Sequence, residues 1–274
     1  MKKILYLSVL VPFVFLPGCS SQKQTELNPP KNGGIYVVAH RGAHRGIPEN
    51  SLPAYRKAIE LGVDFIEIDV RTTKDGVLVS VHNDDVDSYA KDVTGKVNDF
   101  TLNELRTIDI GSRVGAEWAG TQIPTVEEIL ELCQGKCGVY LDMKEAPVAK
   151  LVKLLKKYNM VNDAFWYSPS IRLPVFRKLA KECPRCIAMP DPIYKWLLPV
   201  TLQMLHPAVV ATTRDAFSPD FARACHEAGA IVIMDEDESS ENEWQQVIEW
   251  GVDGIQTDDP EGLINFLRRR KSEN

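Results

Sequence analysis

Short apolar runs rich in β-branched residues alternate with amphipathic segments along most of this 274-residue chain. Such a run between turn-forming residues is typical of a buried strand, whereas apolar residues at every third or fourth position predict a helix. The pattern predicts nine strands: Ile35–Ala39, Asp64–Val70, Val77–Val81, Gly138–Met143, Ala164–Tyr167, Cys186–Met189, Ala208–Thr212, Ala230–Met234 and Asp253–Gln256. Because helices separate most of these strands, we expect right-handed crossovers and a mainly parallel sheet.

Several predicted helices carry end signals. Ser51 is placed to cap a helix that runs to Leu61 and stops at Gly62, and Thr125 with Glu128 has the spacing of a capping box. Similar signals occur at Thr101, Glu104, Ser218 and Gly229.

Periodicity alone does not separate an open sheet from a closed barrel. A (β/α)8 barrel has eight strands, so at least one of the nine candidates would be peripheral or spurious. Residues 83–122 contain no convincing strand and are rich in Asp, Gly and turn residues. We interpret them as an insertion over one end of the sheet.

The first residues predict an exported protein. Lys2 and Lys3 precede an apolar run over residues 4–16 that is too short to span a bilayer. It ends at Leu16-Pro17-Gly18-Cys19, which resembles the lipobox of bacterial lipoproteins. We therefore expect a signal peptide over 1–18, lipidation of Cys19, a flexible tether over 19–34 and one domain over 35–274. The expected location is the bacterial cell envelope, with the chain bound to the membrane through its lipid anchor; an ordinary signal peptide is the alternative.

Net charge and cysteine spacing bear on whether the chain binds nucleic acid, forms disulfides or binds zinc. The formal charge is −6 and falls to −8 when Lys2 and Lys3 are removed, and the absence of a basic stripe argues against a nucleic-acid partner. The close pairs Cys133/Cys137 and Cys183/Cys186 could form local disulfides, which would leave Cys225 unpaired. Zinc is not expected, because no histidine lies at ligand spacing from either pair. The sequence does not indicate an oligomeric state.

Polar residues cluster where the first predicted strands end, and in parallel α/β folds these ends carry the active site. The residues concerned are His40, Arg41, Glu67, Asp69, His82, Asp142 and Lys144. Glu67 and Asp69 are two apart, so they share one face of a strand. A Glu-x-Asp pair alone is most often solvated. Here the pair occurs together with polar groups at the other strand ends, and this combination favours a binding site for a hard divalent cation, Mg²⁺ or Ca²⁺. Two histidines suit acid–base work and Arg41 and Lys144 suit a phosphate, which together predict metal-assisted phosphoryl chemistry.

The chain resembles the glycerophosphodiester phosphodiesterase family from about Ile35 to Pro260. The resemblance lies in an ordered set of motifs: His40-Arg41-Gly42, Pro48-Glu49-Asn50, Glu67-Ile68-Asp69-Val70, Thr73-Lys74-Asp75-Gly76, Val81-His82, Ile123-Pro124-Thr125, Gly251-Val252-Asp253-Gly254-Ile255, and Thr257-Asp258 with Pro260. It implies a TIM barrel with a small insertion after the third strand, and metal-dependent hydrolysis of glycerophosphodiesters to glycerol 3-phosphate and an alcohol.

The resemblance also implies roles for individual residues. His40 and His82 would be the acid–base pair, Glu67 and Asp69 metal ligands, and Arg41 a phosphate contact. Asp142 lies where the family usually has a glutamate ligand, one methylene longer, in a motif that here reads Asp142-Met143-Lys144. Asn83 after His82, and Met234-Asp235 in a late strand, depart from the family pattern near the leaving group, so the substrate is less defined than the reaction.

Two alternative functions remain. A phospholipase D-like relative on the same barrel would cleave lysophospholipids, with Pro192 to Pro199 as an apolar lip, although a buried helix is the favoured interpretation of that segment. A non-catalytic lipoprotein that binds a phosphorylated ligand is the alternative from another class. The second His-Arg-Gly, His44-Arg45-Gly46, is expected in a solvated loop, from which Arg45 could reach a headgroup.

Overall fold

The computed structural model describes residues 27–89, 93–236 and 240–273. The predicted signal peptide and Cys19 therefore lie outside the described residues. The strands are β1 Tyr36–Ala39, β2 Phe65–Thr72, β3 Leu78–Ser80, β4 Gly138–Met143, β5 Ala164–Pro169, β6 Ile187–Asp191, β7 Val209–Thr213, β8 Ile231–Glu236 and β9 Gly254–Thr257. The helices are α1 Leu52–Leu61, α2 Leu102–Leu105, α3 Val126–Cys133, α4 Val148–Lys157, α5 Leu173–Glu182, α6 Leu198–Leu205, α7 Pro219–Glu227, α8 Glu241–Glu249 and α9 Pro260–Glu273.

Eight of the strands form a nearly closed parallel barrel. The order of hydrogen-bonded neighbours is β6-β5-β4-β2-β1-β9-β8-β7, and β6 and β7 at the two ends of this order also lie side by side. Helices connect the barrel strands, so the predicted TIM barrel is confirmed. The chain closes the barrel by placing its first strand beside its last, with Ala39 opposite Thr257.

The ninth strand, β3, is the peripheral one. It pairs antiparallel with β2 and lies off the barrel path. The mainly parallel sheet expected from the sequence therefore has one antiparallel member among its first strands. Only a tight turn separates Thr72 from Leu78, and a parallel neighbour requires a crossover of a dozen or more residues. His82 consequently follows a hairpin strand rather than a barrel strand.

The barrel interior is filled at the end where the strands begin. Inward side chains such as Tyr36, Phe65 and Phe165 pack there into one buried cluster, in which the Phe65 and Phe165 rings stack at 4.1 Å. A larger cluster lies between the strands and the surrounding helices. Because apolar side chains fill the barrel interior at the amino ends of the strands, polar side chains converge at the carboxyl ends.

Residues between β3 and α3 build a small unit of their own. Its core is formed by Val79, Val81, Val86, Val97, Leu105, Ile108, Ile110 and Ile123. The indole Nε1 of Trp118 donates to the Gly46 carbonyl at 2.8 Å. This contact attaches the unit to the loop that follows β1, at the carboxyl end of the barrel.

Local signals act as predicted at the helix starts. The Ser51 hydroxyl accepts from Ala54 N, and Thr125 and Glu128 form a reciprocal capping box. Cys183 and Cys186 form a disulfide, whereas Cys133 and Cys137 are free and buried, so the pairing considered for Cys133 and Cys137 is wrong. No helix in the described ranges is long and apolar enough to span a bilayer.

The segment from Pro192 to Pro199 does not form the buried helix that we favoured. A short 3-10 turn, Lys195–Leu197, leads into α6, and Tyr194 and Trp196 are exposed. Leu198 alone of these large apolar side chains is buried.

Candidate active site

Three carboxylates meet at the carboxyl end of the barrel. Glu67 and Asp69 lie on β2 and Asp142 on β4, where Asp142 is the register partner of Asp69. One oxygen from each of the three side chains lies within 4.8 Å of the others. Glu67 is 2% exposed and Asp69 is 1% exposed, so the strand pair predicted from sequence faces inward rather than solvent.

Burial and mutual repulsion make the charged forms of these carboxylates unfavourable. Burial and then the charge of Asp69 raise the pKa of Glu67 well above its usual value. Burial also raises the pKa of Asp142, against the opposing charge of Lys144. A divalent cation relieves this kind of repulsion, and an oxygen-only donor set suits a hard cation. The residues present therefore fit a Mg²⁺ or Ca²⁺ site.

Both predicted phosphate-binding side chains lie against this carboxylate cluster. Arg41 Nε is 3.7 Å from Asp69 Oδ2, and Lys144 Nζ is 3.3 Å from Asp69 Oδ1 and also pairs with Asp142. Arg41 Nε is buried and has no hydrogen-bond partner in the described structure. Their contact with a phosphate remains a prediction, and their charge already balances part of the carboxylate charge.

A turn in the backbone brings Arg41 to this position. Arg41 has φ 52° and Gly42 has φ 86°, both in the left-handed region. The Arg41 amide donates to Glu67 Oε2 at 2.8 Å. Gly42 is required because a Cβ there would lie 2.8 Å from the backbone carbon of Ala54 in α1.

His40 follows β1 directly and contacts Asp258, which follows β9. His40 Nδ1 lies 2.7 Å from Asp258 Oδ1, and the imidazole is 14% exposed. Burial lowers the pKa of His40, but the hydrogen bond to Asp258 and the charge of Glu67 outweigh it and raise that pKa to about 9. Since Nδ1 is engaged by Asp258, Nε2 is the ring nitrogen that remains for a second partner.

His82, the other predicted catalytic histidine, follows β3. Its Nδ1 lies 2.9 Å from Asn83 Oδ1. The backbone amide of the preceding residue, Val81, donates to the Asp69 carbonyl at 3.0 Å, so His82 directly follows a residue that is bound to the cluster strand. The structure thus collects all the sequence-predicted site residues of the barrel domain at one end, while their catalytic and ligand roles remain predictions.

His44 lies in the loop after β1 as expected, but its side chain is 20% exposed and is not simply solvated. Its Nε2 lies 3.0 Å from Asp258 Oδ1, the same oxygen that His40 contacts, and the two imidazole rings are 6.3 Å apart. Arg45 is exposed and pairs with Asp259 at 2.7 Å.

The sequence model of the glycerophosphoryl diester phosphodiesterase family matches residues 40–262. The chain belongs to this family. It is accordingly a phosphoric diester hydrolase. A glycerophosphodiester phosphodiesterase from Caldanaerobacter subterraneus subsp. tengcongensis is 33% identical over 249 residues, which cover 85% of this chain and 98% of that protein.

Solved structures agree on the fold of this phosphodiesterase. The crystal structure of a glycerophosphodiester phosphodiesterase from Agrobacterium tumefaciens is 27% identical with a TM-score of 0.76, over 84% of this chain and 99% of that chain. A phosphodiesterase from Oleispira antarctica, solved with sn-glycerol-3-phosphate, has a TM-score of 0.77 at 23% identity, over 85% of this chain and 96% of that chain. At this identity the second likeness concerns the fold alone.

Asn50 is a site residue of this phosphodiesterase whose role sequence reasoning missed. It is buried, with φ 49°, and its Nδ2 donates to Asp69 Oδ2 at 2.8 Å. Its Oδ1 accepts from the hydroxyls of Tyr55 at 2.8 Å and Ser80 at 2.7 Å. The Pro48-Glu49-Asn50 motif pointed to this loop, but only as a loop-shaping element.

A second missed feature is the wall of the barrel mouth on the side of β5 to β9. The Tyr167 hydroxyl donates to Asp191 Oδ2 at 3.0 Å, and Gln256 Nε2 donates to Asp235 Oδ1 at 2.7 Å. The sequence signal for Asp191 and Asp235 is that each is the first charged residue after the apolar run of its strand, β6 or β8.

Proposed function

We propose that this phosphodiesterase hydrolyses glycerophosphodiesters to glycerol 3-phosphate and an alcohol, with one divalent cation, Mg²⁺ or Ca²⁺, held by Glu67, Asp69 and Asp142. The observation that carries the proposal is the three-carboxylate cluster, with oxygens within 4.8 Å of one another and two of its members buried. The likeness to the glycerophosphodiester phosphodiesterase from Caldanaerobacter subterraneus over nearly the whole of that protein supports the same substrate class.

The side chains around the cluster have distinct parts in this reaction. A bound cation supplies Lewis-acid polarisation of the phosphoryl oxygens. Arg41 and Lys144 stabilise the charge that spreads over these oxygens in the transition state. Of His40 and His82, one takes the proton from the attacking oxygen and the other gives a proton to the departing alkoxide. Asp258 holds His40 through Nδ1 and so orients its Nε2.

We also propose that residues 1–18 are a lipoprotein signal peptide and that the lipidated Cys19 anchors the enzyme in the cell envelope. This rests on the sequence pattern alone. Mass spectrometry of the protein from a bacterial membrane fraction would show a diacylated N-terminal cysteine, and Cys19→Ala would release the protein from that fraction. Recovery of unmodified protein beginning at another residue would contradict the proposal.

The enzymatic proposal is tested on a panel of glycerophosphodiesters with choline, ethanolamine, inositol and glycerol headgroups. Release of glycerol 3-phosphate is measured with a coupled dehydrogenase before and after chelator treatment. We expect the chelator to abolish turnover and Mg²⁺ or Ca²⁺ to restore it. Turnover that resists chelation would contradict the carboxylate site, and no turnover on the whole panel would favour the non-catalytic lipoprotein.

A further inference from the structure

Two histidines converge on a carboxylate that is not part of the three-carboxylate cluster. His40 Nδ1 lies 2.7 Å and His44 Nε2 lies 3.0 Å from the same atom, Asp258 Oδ1. The two imidazole planes are inclined by 78°, so the rings meet edge to face and do not stack. The proposed reaction uses His40 and Asp258 but gives no part to His44. We call these three residues the His-His-Asp group.

The His-His-Asp group has the donor atoms of a transition-metal site. One nitrogen of each imidazole and one carboxylate oxygen lie within 4.8 Å of one another. Donors around a tetrahedral Zn²⁺ are roughly 3.3 Å apart, so any two of these atoms approach each other by at most about 1.5 Å on binding. Imidazole nitrogen suits Zn²⁺, whereas Mg²⁺ and Ca²⁺ prefer the oxygen donors of the carboxylate cluster. Zinc is not expected at the cysteine pairs, and this group contains no cysteine.

The backbone holds the two sides of the group together without a metal. The amide of His40 donates to the Thr257 carbonyl at 3.1 Å, which continues the pairing of β1 with β9. The loop that carries His44 is joined to the turn after β9 by a second contact, between Arg45 and Asp259 at 2.7 Å. The donors are thus close together before an ion arrives, which lowers the cost of ordering them on binding.

The group is accessible to an ion from solvent. The side chains of His40, His44 and Asp258 are 14%, 20% and 29% exposed. Zinc sites with three protein donors complete their coordination with a water molecule or another small ligand. Partial exposure of all three side chains leaves room for such a fourth ligand.

We propose that the His-His-Asp group binds Zn²⁺ through His40 Nδ1, His44 Nε2 and an oxygen of Asp258, and that the bound ion inhibits the phosphodiesterase. An ionised carboxylate only accepts hydrogen bonds, so both nitrogens carry a hydrogen in the metal-free group. Zn²⁺ replaces these hydrogens, which leave as protons to water or move to the other nitrogen of the same ring.

The inhibition follows from the second nitrogen of His40. An imidazole that binds a metal through Nδ1 carries its remaining hydrogen on Nε2. Nε2 then has no free lone pair to accept a proton, and giving up its own proton would leave an imidazolate anion. His40 is therefore held in one protonation state and takes no part in acid–base catalysis. The binding is independent of the proposed function, whereas the inhibition rests on it.

The binding test uses chelator-stripped protein in saturating Mg²⁺ or Ca²⁺, which occupies the carboxylate cluster. Calorimetry measures Zn²⁺ affinity, and X-ray absorption at the zinc edge identifies the donor atoms. We expect a single Zn²⁺ with imidazole donors. His44→Ala removes a direct donor and is expected to weaken binding at least about 100-fold, since loss of a group that only supports a ligand already costs about 10-fold to 100-fold.

His226→Ala is the matched control. His226 Nε2 also contacts a carboxylate, Asp253 Oδ2 at 2.8 Å, but within the described ranges it belongs to no group of three metal donors. This variant is expected to leave the zinc affinity unchanged. Unchanged circular dichroism and thermal midpoints show that both variants fold.

The inhibition test follows glycerophosphodiester turnover at saturating Mg²⁺ while Zn²⁺ is added. We expect the wild type to lose turnover over the zinc concentrations at which the His-His-Asp group fills. His44→Ala is expected to need at least about 100-fold more zinc for the same fractional loss. Additional Mg²⁺ should not restore the wild type, because the two ions occupy different sites.

The outcomes separate this site from other zinc sites and from the proposed function. Sulfur donors with an affinity that His44→Ala leaves unchanged place the ion at the free thiols of Cys133 and Cys137 and overturn the inference. Absence of imidazole-bound zinc overturns it too, since His44 then only donates a hydrogen bond. Inhibition that is equal in both proteins and relieved by Mg²⁺ indicates displacement from the carboxylate cluster and overturns the inhibitory role. Absence of turnover in the zinc-free protein overturns the proposed function, while the binding measurement still decides the zinc site.

Discussion

Asn50 lies at the centre of a small buried network, and Asn50→Ala is expected to lower both stability and metal affinity. The substitution removes the Nδ2 hydrogen bond to the buried Asp69 carboxylate and the acceptor shared by Tyr55 and Ser80. The two hydroxyls keep each other as partners at 2.9 Å, so they are not both left without a hydrogen bond.

The expected magnitude follows from these contacts. A hydrogen bond to a charged group contributes about 1.5 to 3 kcal/mol, and the lost neutral acceptor about 1 kcal/mol. Asn tolerates the left-handed φ of 49° better than Ala, which adds about 1 kcal/mol. The sum is about 4 kcal/mol of unfolding free energy, a large part of the stability of an ordinary domain. Since Asp69 also loses its orienting partner, metal affinity is expected to fall about 10-fold to 100-fold.

Urea denaturation in the presence of chelator measures the stability term without a contribution from bound metal. Titration of activity with Mg²⁺ or Ca²⁺ measures the metal term. Ser80→Ala is the matched control, because it removes only neutral hydrogen bonds of the same network, at a cost of about 1 kcal/mol. A loss below about 1 kcal/mol in Asn50→Ala, with an unchanged metal titration, would refute the assignment of Asn50 as the residue that holds Asp69.

Three further predictions follow from the turn after β1. His40→Ala is expected to lower turnover about 10²-fold to 10⁴-fold with unchanged circular dichroism. His44→Ala is expected to keep most of the turnover, because Asp258 still contacts His40. Equal losses of turnover in the two variants would contradict the acid–base assignment. The pKa of His40 is raised from 6.5 to about 9. Protonated His40 therefore contributes about 3 kcal/mol to the free energy of unfolding below pH 6.5, and this contribution is lost as the pH rises through 9. Urea denaturation of the chelated protein should show this loss in the wild type and not in Asp258→Asn. Gly42→Ala is expected to lower the free energy of unfolding by about 3 kcal/mol, because of φ strain and the contact with Ala54. The control Gly46→Ala is expected to cost about 1 kcal/mol, because a Cβ there meets nothing within 4 Å. Equal thermal midpoints of the two variants would refute the close approach at Gly42.

The helix starts and most strands were predictable because their causes are local. A capping hydroxyl such as Ser51 acts within three residues, and a run of β-branched residues forms a strand wherever it can be buried. The direction of β3 was harder, because strand direction depends on the connection. The short link between Thr72 and Leu78 contained that information, since it cannot hold a crossover.

The predicted site residues came from strand ends, and this rule succeeded for Glu67, Asp69 and Asp142. It failed for side chains on loops and for the apolar exposure of Trp196, because loop conformation is not fixed by periodicity. A helical pattern tells which residues share a side of α6, but not whether another element covers that side. This is why the buried helix expected over residues 192–199 is wrong: α6 begins only at Leu198, and Tyr194 and Trp196 before it are exposed.

The double His-Arg-Gly shows how much barrel closure adds to the sequence pattern. His40 is followed in sequence by His44, yet both imidazoles contact one carboxylate that lies more than two hundred residues further along the chain. This contact exists because β1 and β9 are neighbours, so the turns after the first and the last strand share the same end of the barrel. Of the two histidines, only His40 directly follows a barrel strand. His44 reaches Asp258 from the loop, so this carboxylate is the common partner of both histidines. The proposed proton transfer is assigned to His40 because His40 directly follows β1.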